Sequence, residues 1–207
     1  MCAKPAVLTS CRTTLTETMR ILIAGATGVL GRATLPHLHR HELAGLTRSE
    51  EKLESVRELG AQPFLCDVYD YEALLRVAEL FRPRIVANFL TALSSGSAEA
   101  NSRVRREGGA NLLNAAEAAG ARRLVVESVA FPLEGDGAAA VDELEQSARG
   151  FLGESVILRF GRLWGPGTYY GAPPRPPTIH IDRAATTGAR LLVQATPGTH
   201  LVTEQEG

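Results

Sequence analysis

The sequence predicts a doubly wound parallel α/β sheet, and three observations predict it. Short, nearly continuous apolar runs alternate with stretches of helical composition from Arg20 to Phe160. That is the pattern of βαβ units whose strands are covered on both faces. The first run passes directly into a glycine-rich turn that opens a helix. A length of 207 residues suits one domain with a small appendage. Right-handed crossovers between the units then wind the chain onto both faces of a single sheet.

The elements follow in order. Arg20–Ala24 (RILIA) reads as a strand, Val29–His41 as a helix and Glu42–Thr47 as a strand. Glu50–Leu59 is a helix with Leu53, Val56 and Leu59 on one face. Gln62–Val68 is a strand, and Tyr71–Phe81 is a helix that Pro83 helps to end. Arg84–Leu90 is a strand, Ala98–Ala119 a helix and Arg122–Ser128 a strand. Ala138–Arg149 is helical and Ser155–Phe160 extended. The prolines and glycines of Gly165–Pro177 make a loop. Thr178–Val202 is too short to hold a core of its own.

Three segments result. Residues 1–19 lack both a periodic pattern and the apolar stretch of a signal peptide, and read as a disordered extension. Residues 20–164 form the α/β domain, and 165–207 a reduced lobe that is not an independent domain.

Composition narrows the function. A net charge of −1 argues against a broad phosphate-binding surface and hence against nucleic acid as a partner. No apolar run approaches the ~18 residues of a membrane span. Cys2, Cys11 and Cys66 are too few and too scattered for a disulfide framework or a zinc cluster, so a reducing cytoplasm is expected. Lys4 and Lys52 are the only lysines, against 20 arginines.

The chemistry lies first in Gly25-Ala26-Thr27-Gly28-Val29-Leu30-Gly31. Glycines so spaced at a strand-to-helix turn let the backbone approach a pyrophosphate, which the helix N-terminus attracts. The turn is expected to be the nucleotide site of a Rossmann-type NAD(P)-binding fold, with a purely structural glycine turn as the alternative. After the second strand a carboxylate would hold the ribose of NAD(H), but this chain has Arg48, followed by Ser49. With Arg32 behind the third glycine, two guanidiniums suit the 2′-phosphate of NADP(H), which is the preferred cofactor, with NAD(H) second. The alternative is that both arginines are solvated surface residues.

The segments ILIAGATGVLG, LTRS, CDVYDYEAL, NLLNAAEAAGARRLVVES, ILRFGRLWGPG and HIDRAA occur in one consistent order from Arg20 to Val202. Together they resemble the extended and atypical short-chain dehydrogenase/reductases, the NAD(P)-dependent epimerase/dehydratase group. The resemblance implies that Thr27, Gly28, Val29 and Leu30 lie beneath the pyrophosphate. It implies that Asp67 and Val68 meet the adenine and that Asn88, Phe89 and Leu90 line the dinucleotide. Ser128 would be the serine that ends the fifth strand.

The chain also departs from that family. Aligning Glu145 with the family's helix puts Gly137 and Val141 at the positions of the Tyr-x-x-x-Lys pair, and no tyrosine lies between Tyr71 and Tyr169. Arg105 replaces an asparagine of the preceding helix. Two candidates remain for the acceptor's oxygen. Ser128 either donates to it or caps its strand, and Tyr169 in the loop either replaces the missing acid or packs against its neighbours. Glu127, Asp142 and Glu143 are the nearest carboxylates.

His37 and His41 have metal-chelating spacing but no third ligand nearby, so no metal is expected. Asp182 reads as a helix N-cap and Cys66 as a packing residue. The expectation is an oxidoreductase acting on a small acceptor, such as a carbonyl, an enone or a bound aromatic, with a homodimer as the possible assembly. A non-catalytic dinucleotide-binding sensor or regulatory module is the alternative.

Overall fold

A computed structural model describes residues 17–92 and 97–204. Seven parallel strands form the main sheet in the order β3-β2-β1-β4-β5-β6-β9. They are β1 (Arg20–Ala24), β2 (Glu42–Thr47), β3 (Gln62–Leu65), β4 (Ile85–Asn88), β5 (Arg123–Val129), β6 (Glu154–Phe160) and β9 (Gly198–Val202). Between β6 and β9, β7 (Arg162–Trp164) and β8 (Thr178–His180) make a separate parallel pair. The helices are α1 (Val29–Thr34), α2 (Leu53–Glu58), α3 (Tyr71–Phe81), α4 (Ala98–Arg103), α5 (Gly109–Ala118), α6 (Gly135–Arg149) and α7 (Ile181–Gln194).

Alternation along the strands builds two cores. Ile21, Ile23, Val125 and Leu158 face one side with Leu30 of α1, Val56 of α2 and Leu192 of α7. Leu22, Val86, Val126 and Ile157 face the other with Leu74 of α3, Leu112 of α5 and Leu144 of α6. Every one of these is less than 6% exposed. Each fully buried aliphatic chain contributes ~1.5–3 kcal/mol by leaving water. The chain therefore specifies this layering mainly through strand residues that are apolar on both faces.

Several boundaries differ from the sequence reading. The helix expected over Val29–His41 ends at Thr34 and continues as a 3-10 turn, Leu35–Leu38, because Pro36 has no N–H for the α-helical ladder. The expected helix Glu50–Leu59 starts as a 3-10 turn, Glu50–Lys52. The strand expected over Gln62–Val68 ends at Leu65: Asp67 Oδ1 accepts from Tyr69 N–H at 3.0 Å and turns the chain away. Arg84–Leu90 shrinks to Ile85–Asn88, where Asn88 Oδ1 accepts from Leu90 N–H at 3.1 Å. Ala98–Ala119 is broken by a five-residue π turn, Val104–Gly108. The helix expected from Ala138 begins at Gly135, and β5 and β6 are each shifted or extended by one residue.

At the C-terminal side, α7 packs against α1 and β9 pairs with β6, so residues 181–202 complete the main sandwich. Glu204 fixes the β7–β8 pair below it. Its carboxylate accepts from Trp164 Nε1 at 3.1 Å, Thr178 Oγ1 at 3.0 Å and the His180 N–H at 3.0 Å. The expected cap Asp182 lies in the first turn of α7, and His180 Nδ1 instead accepts the Asp182 N–H at 3.3 Å.

Residues 1–16 of the expected extension lie outside the described residues. Residues 17–19 are tied to the sheet's edge: Arg84 Nη1 pairs with Glu17 at 3.0 Å, and Glu42 N–H donates to Met19 O at 2.9 Å. Among the described residues no helix is long and apolar enough to cross a membrane.

Candidate functional site

The strand order reverses between β1 and β4, and ligands of open parallel sheets bind in the crevice beyond such a switch point. The glycine turn fills this crevice. Gly25 has φ +86°, and a Cβ there would sit 2.2 Å from Phe89 O. A Cβ on Gly31 would sit 2.2 Å from Gly25 O. These two glycines let the turn close onto β4 and α1. Gly28 is different, because a Cβ there would meet only Gly25 O, at 3.2 Å, and its other side is open.

The first helical hydrogen bond runs from Arg32 N–H to Gly28 O at 3.0 Å. The N–H groups of Val29, Leu30 and Gly31 therefore precede the ladder, and no side chain caps them. Thr27 is half-buried beside them, and Val29, an apolar residue, is 38% exposed. An open glycine with free amides is a fitting cradle for a diphosphate.

The other predicted cofactor residues surround the same edge. Arg32 and Arg48 are exposed, and Ser49 N–H donates to Thr47 Oγ1 at 3.2 Å. Asp67 is exposed and Val68 buried, with Val68 O held by Asn111 Nδ2 at 2.9 Å. The Arg103 guanidinium stacks over Tyr69 at 4.3 Å. Asn88 and Phe89 are buried, and Phe89 N–H donates to Ala24 O at 2.9 Å, which joins the ends of β1 and β4. Leu90 is half-buried.

Beyond the end of β5 a buried carboxylate, Glu145, gathers a buried hydroxyl and two partly exposed guanidiniums. Ser128 is 1% exposed, and its hydroxyl donates to Glu145 Oε1 at 2.6 Å. Glu145 also accepts from Arg159 Nε at 2.8 Å and Nη2 at 2.6 Å, and from Arg149 Nη2 at 2.7 Å. Burial works against its charge, but hydrogen bonds from Arg159, Ser128 and Arg149 outweigh it and hold its pKa down at about 2. A cavity of about 350 Å³ lies between the β5 end, α6 and β9, lined by Phe131, Val141, Glu145, Arg159 and Leu201 among others.

Glu127 points to the other face of β5 from Ser128. Burial pushes its pKa up to about 7, and Arg105 opposes this. Arg105 is 6% exposed, and burial lowers its pKa while Glu127 raises it.

Tyr169 is 90% exposed and lies edge-on to Tyr170 at 4.9 Å. Among the described residues no group of three or more His, Cys, Asp or Glu is placed to hold a metal. His41 Nδ1 instead accepts the Met19 N–H at 3.3 Å, and His39 Nδ1 lies 3.1 Å from Pro36 O. Cys66 is buried just past β3, and its thiol is pushed up to about 11 by burial, Asp70 and Asp67, against Arg76.

The sequence singled out none of Arg159, Arg149 and Asn111 as a site residue. A charged residue inside the apolar run SVILRF was the available signal for Arg159, and the i, i+4 spacing of Glu145 and Arg149 was the signal for that pair.

Residues 25–148 match the model of a family described as NAD(P)H-binding. A 3-diazoavenalumate denitrifying reductase of Streptomyces sp is 34% identical over an alignment covering 73% of this chain. The chain spans 59% of that relative's length. Among solved structures, the Bordetella bronchiseptica enzyme WbmG in complex with NAD superposes with a TM-score of 0.75 at 20% identity, covering 92% of this chain and 74% of that one. The Thermus thermophilus UDP-glucose 4-epimerase complex with NAD gives 0.74 at 21% identity, covering 91% and 78%. The Streptomyces venezuelae dTDP-glucose 4,6-dehydratase DesIV, with NAD bound, gives 0.72 at 18%, covering 89% and 75%. The fold is thus that of the NAD-dependent epimerase/dehydratase structures, and the chain belongs to the NAD(P)H-binding family.

Proposed function

We propose that this protein is an NADPH-dependent reductase whose acceptor needs a hydride but no proton from a tyrosine. When bound, the dihydronicotinamide supplies that hydride. The α1 turn would hold the diphosphate, and the residues that end β4 and β5 would line the rest of the dinucleotide. One observation carries the reading. Glu145 of α6 is engaged with Ser128, yet one and two turns upstream α6 has Val141 and Gly137. Neither can protonate an alkoxide, and no lysine follows Lys52 to lower a phenol's pKa. The Ser128 hydroxyl already donates its hydrogen bond to Glu145.

Such a site favours acceptors that are complete on receiving hydride. An aryl diazonium cation is one class, its N₂⁺ group being replaced by the hydride and leaving as N₂, in keeping with the name of the Streptomyces relative. Quinones and conjugated carbonyls that take their proton from water are a second. Alignment of donor and acceptor is then the chain's main contribution. We assign this activity to the cytoplasm and to a small molecule, with no nucleic acid or membrane partner and with a homodimer as the one assembly to look for.

The test is single-turnover oxidation of bound NADPH, followed at 340 nm, with an aryl diazonium, quinones and aldehydes. Oxidation by a diazonium or quinone is expected. Tight cofactor binding without turnover by any of them contradicts the enzyme and supports the sensor.

The preference for NADPH rests on Arg48 and Arg32, both exposed at the adenosine end. Arg48→Ala is expected to weaken NADPH about tenfold or more and to leave NADH nearly unchanged, since a charge-assisted bond to phosphate contributes ~1.5–3 kcal/mol. Equal weakening of both in fluorescence titrations removes the 2′-phosphate role.

A further inference from the structure

The cavity beside the β5 end lies where α6 stops covering the sheet. Ser128, Arg159 and Leu201 stand side by side in register across β5, β6 and β9, on one face. The helix packs on β5 and β6, and its Glu145 is bonded to the first two residues of that row. Leu201, one strand further out, is 70% exposed. The cavity opens there, with a volume of about 350 Å³. A space of ~150 Å³ is enough for benzene, so this one suits a molecule of one or two rings.

Its walls favour an aromatic occupant. Val129, Phe131, Leu133, Ala138, Val141 and Leu201 contribute apolar surface. The Arg162 guanidinium lies over the Phe131 ring at 4.1 Å and donates to the carbonyls of Arg175 at 3.1 Å and Pro176 at 3.3 Å, which restrains that ring. Gly137 directly precedes Ala138, and a Cβ added to it would meet nothing within 4 Å. The α6 position without a tyrosine therefore leaves open space.

The charges in the lining set the rest of the selection. They are Asp142, Glu145 and Arg159, two carboxylates against one guanidinium. Arg159 already gives its Nε and Nη2 to Glu145, at 2.8 Å and 2.6 Å, so the fork along that edge is taken. Asp142 is exposed on α6, where an entering anion would meet its charge.

We infer that this cavity holds the acceptor, and that the acceptor is a one- or two-ring aromatic molecule without negative charge, not an organic acid or a nucleotide sugar. This assignment rests on the reductase reading above.

The experiment titrates three probes into the NADPH-saturated protein by calorimetry: 2-naphthol, uncharged at pH 7, its anionic counterpart 2-naphthoate, and UDP-glucose. One saturable site per chain is expected for 2-naphthol, with 2-naphthoate at least about tenfold weaker and no heat from UDP-glucose. Val141→Phe should fill the cavity and weaken 2-naphthol at least about tenfold, with the circular dichroism spectrum and NADPH affinity kept. Asp142→Lys changes an exposed position that packing does not constrain, and should bring 2-naphthoate to within about threefold of 2-naphthol.

No saturable 2-naphthol binding, 2-naphthoate binding as tightly as 2-naphthol, or heat from UDP-glucose would overturn the proposal. So would a folded Val141→Phe protein that binds 2-naphthol as the wild type does, or an Asp142→Lys protein that keeps the full preference. A loss of NADPH affinity that matches the loss of 2-naphthol in Val141→Phe would do the same, by giving the cavity to the cofactor's ring. The assay reads binding alone. Binding of 2-naphthol in a protein that never oxidises NADPH keeps the cavity and removes the reductase, and quinone turnover without 2-naphthol binding does the reverse.

Discussion

Gly28→Ala is expected to fold normally and to lose about two orders of magnitude of affinity for either nicotinamide dinucleotide. Gly28 has φ −74° and ψ 171°, extended backbone open to any residue. Its added methyl meets only Gly25 O at 3.2 Å, a contact that a few tenths of an ångström relieves. The methyl instead occupies the approach to the free amides of α1, where a phosphate oxygen must come within hydrogen-bond distance. Losing one or two charge-assisted bonds there costs ~1.5–3 kcal/mol each.

Gly25→Ala is the internal contrast. Its Cβ would sit 2.2 Å from Phe89 O in a conformation with φ +86°, and a cost of more than ~3 kcal/mol is expected in the fold itself. Circular dichroism with fluorescence titration separates the two. A Gly28→Ala protein that binds NADPH as the wild type does would remove the cradle.

Glu145→Gln is expected to destabilise the protein by about 3 kcal/mol, or roughly 6–10 °C in melting temperature for a chain of this size. The carboxylate is 1% exposed and gathers four hydrogen bonds from Ser128, Arg149 and Arg159. A neutral amide cannot accept them all, and it presents an N–H₂ group to a guanidinium. The sign of the pH dependence follows from its pKa, which is held at about 2, below the usual glutamate value. Its contribution is fully present above the usual value and is lost as pH falls through that value towards 2.

Glu127 acts in the opposite sense. Its pKa is raised to about 7, so folding loses stability as pH rises from the usual glutamate range through 7. Chemical denaturation at pH 3 to 8 checks both. Glu145→Gln should flatten the acid limb and Glu127→Gln the neutral one. A Glu145→Gln protein as stable as the wild type at pH 7 would show that the arginines find equal partners elsewhere.

The sheet could be read from the chain because each strand is apolar on both faces, as in Ile21-Leu22-Ile23, where one run feeds two cores. The glycine turn could be read because its residues fix the local backbone. Boundaries shifted where one side chain or a missing N–H decided them. Pro36 ended α1 early, Asp67 turned the chain after β3, and the His180 side chain accepted the Asp182 N–H in the first turn of α7.

The charged residues around β5 were harder, for a physical reason. Whether an arginine is solvated or buried depends on what packs over it, and twenty arginines look alike along the chain. Arg105 and Arg106 are adjacent, yet one is 6% exposed and the other is paired with Asp136 and Glu143 at the surface. The π turn that carries both has no marker in the sequence. The partnership of Ser128 with Glu145 joins residues 17 positions apart on different elements, which only the packing of α6 against β5 brings together.

Titration calorimetry of the intact protein with NADPH and NADH addresses the central claim most directly, that the turn from Gly25 to Gly31 grips a nicotinamide dinucleotide. A saturable heat at one site per chain, with NADPH the tighter ligand, is the predicted result. No heat with either coenzyme at millimolar concentration would contradict it and would leave the reductase reading without its hydride donor.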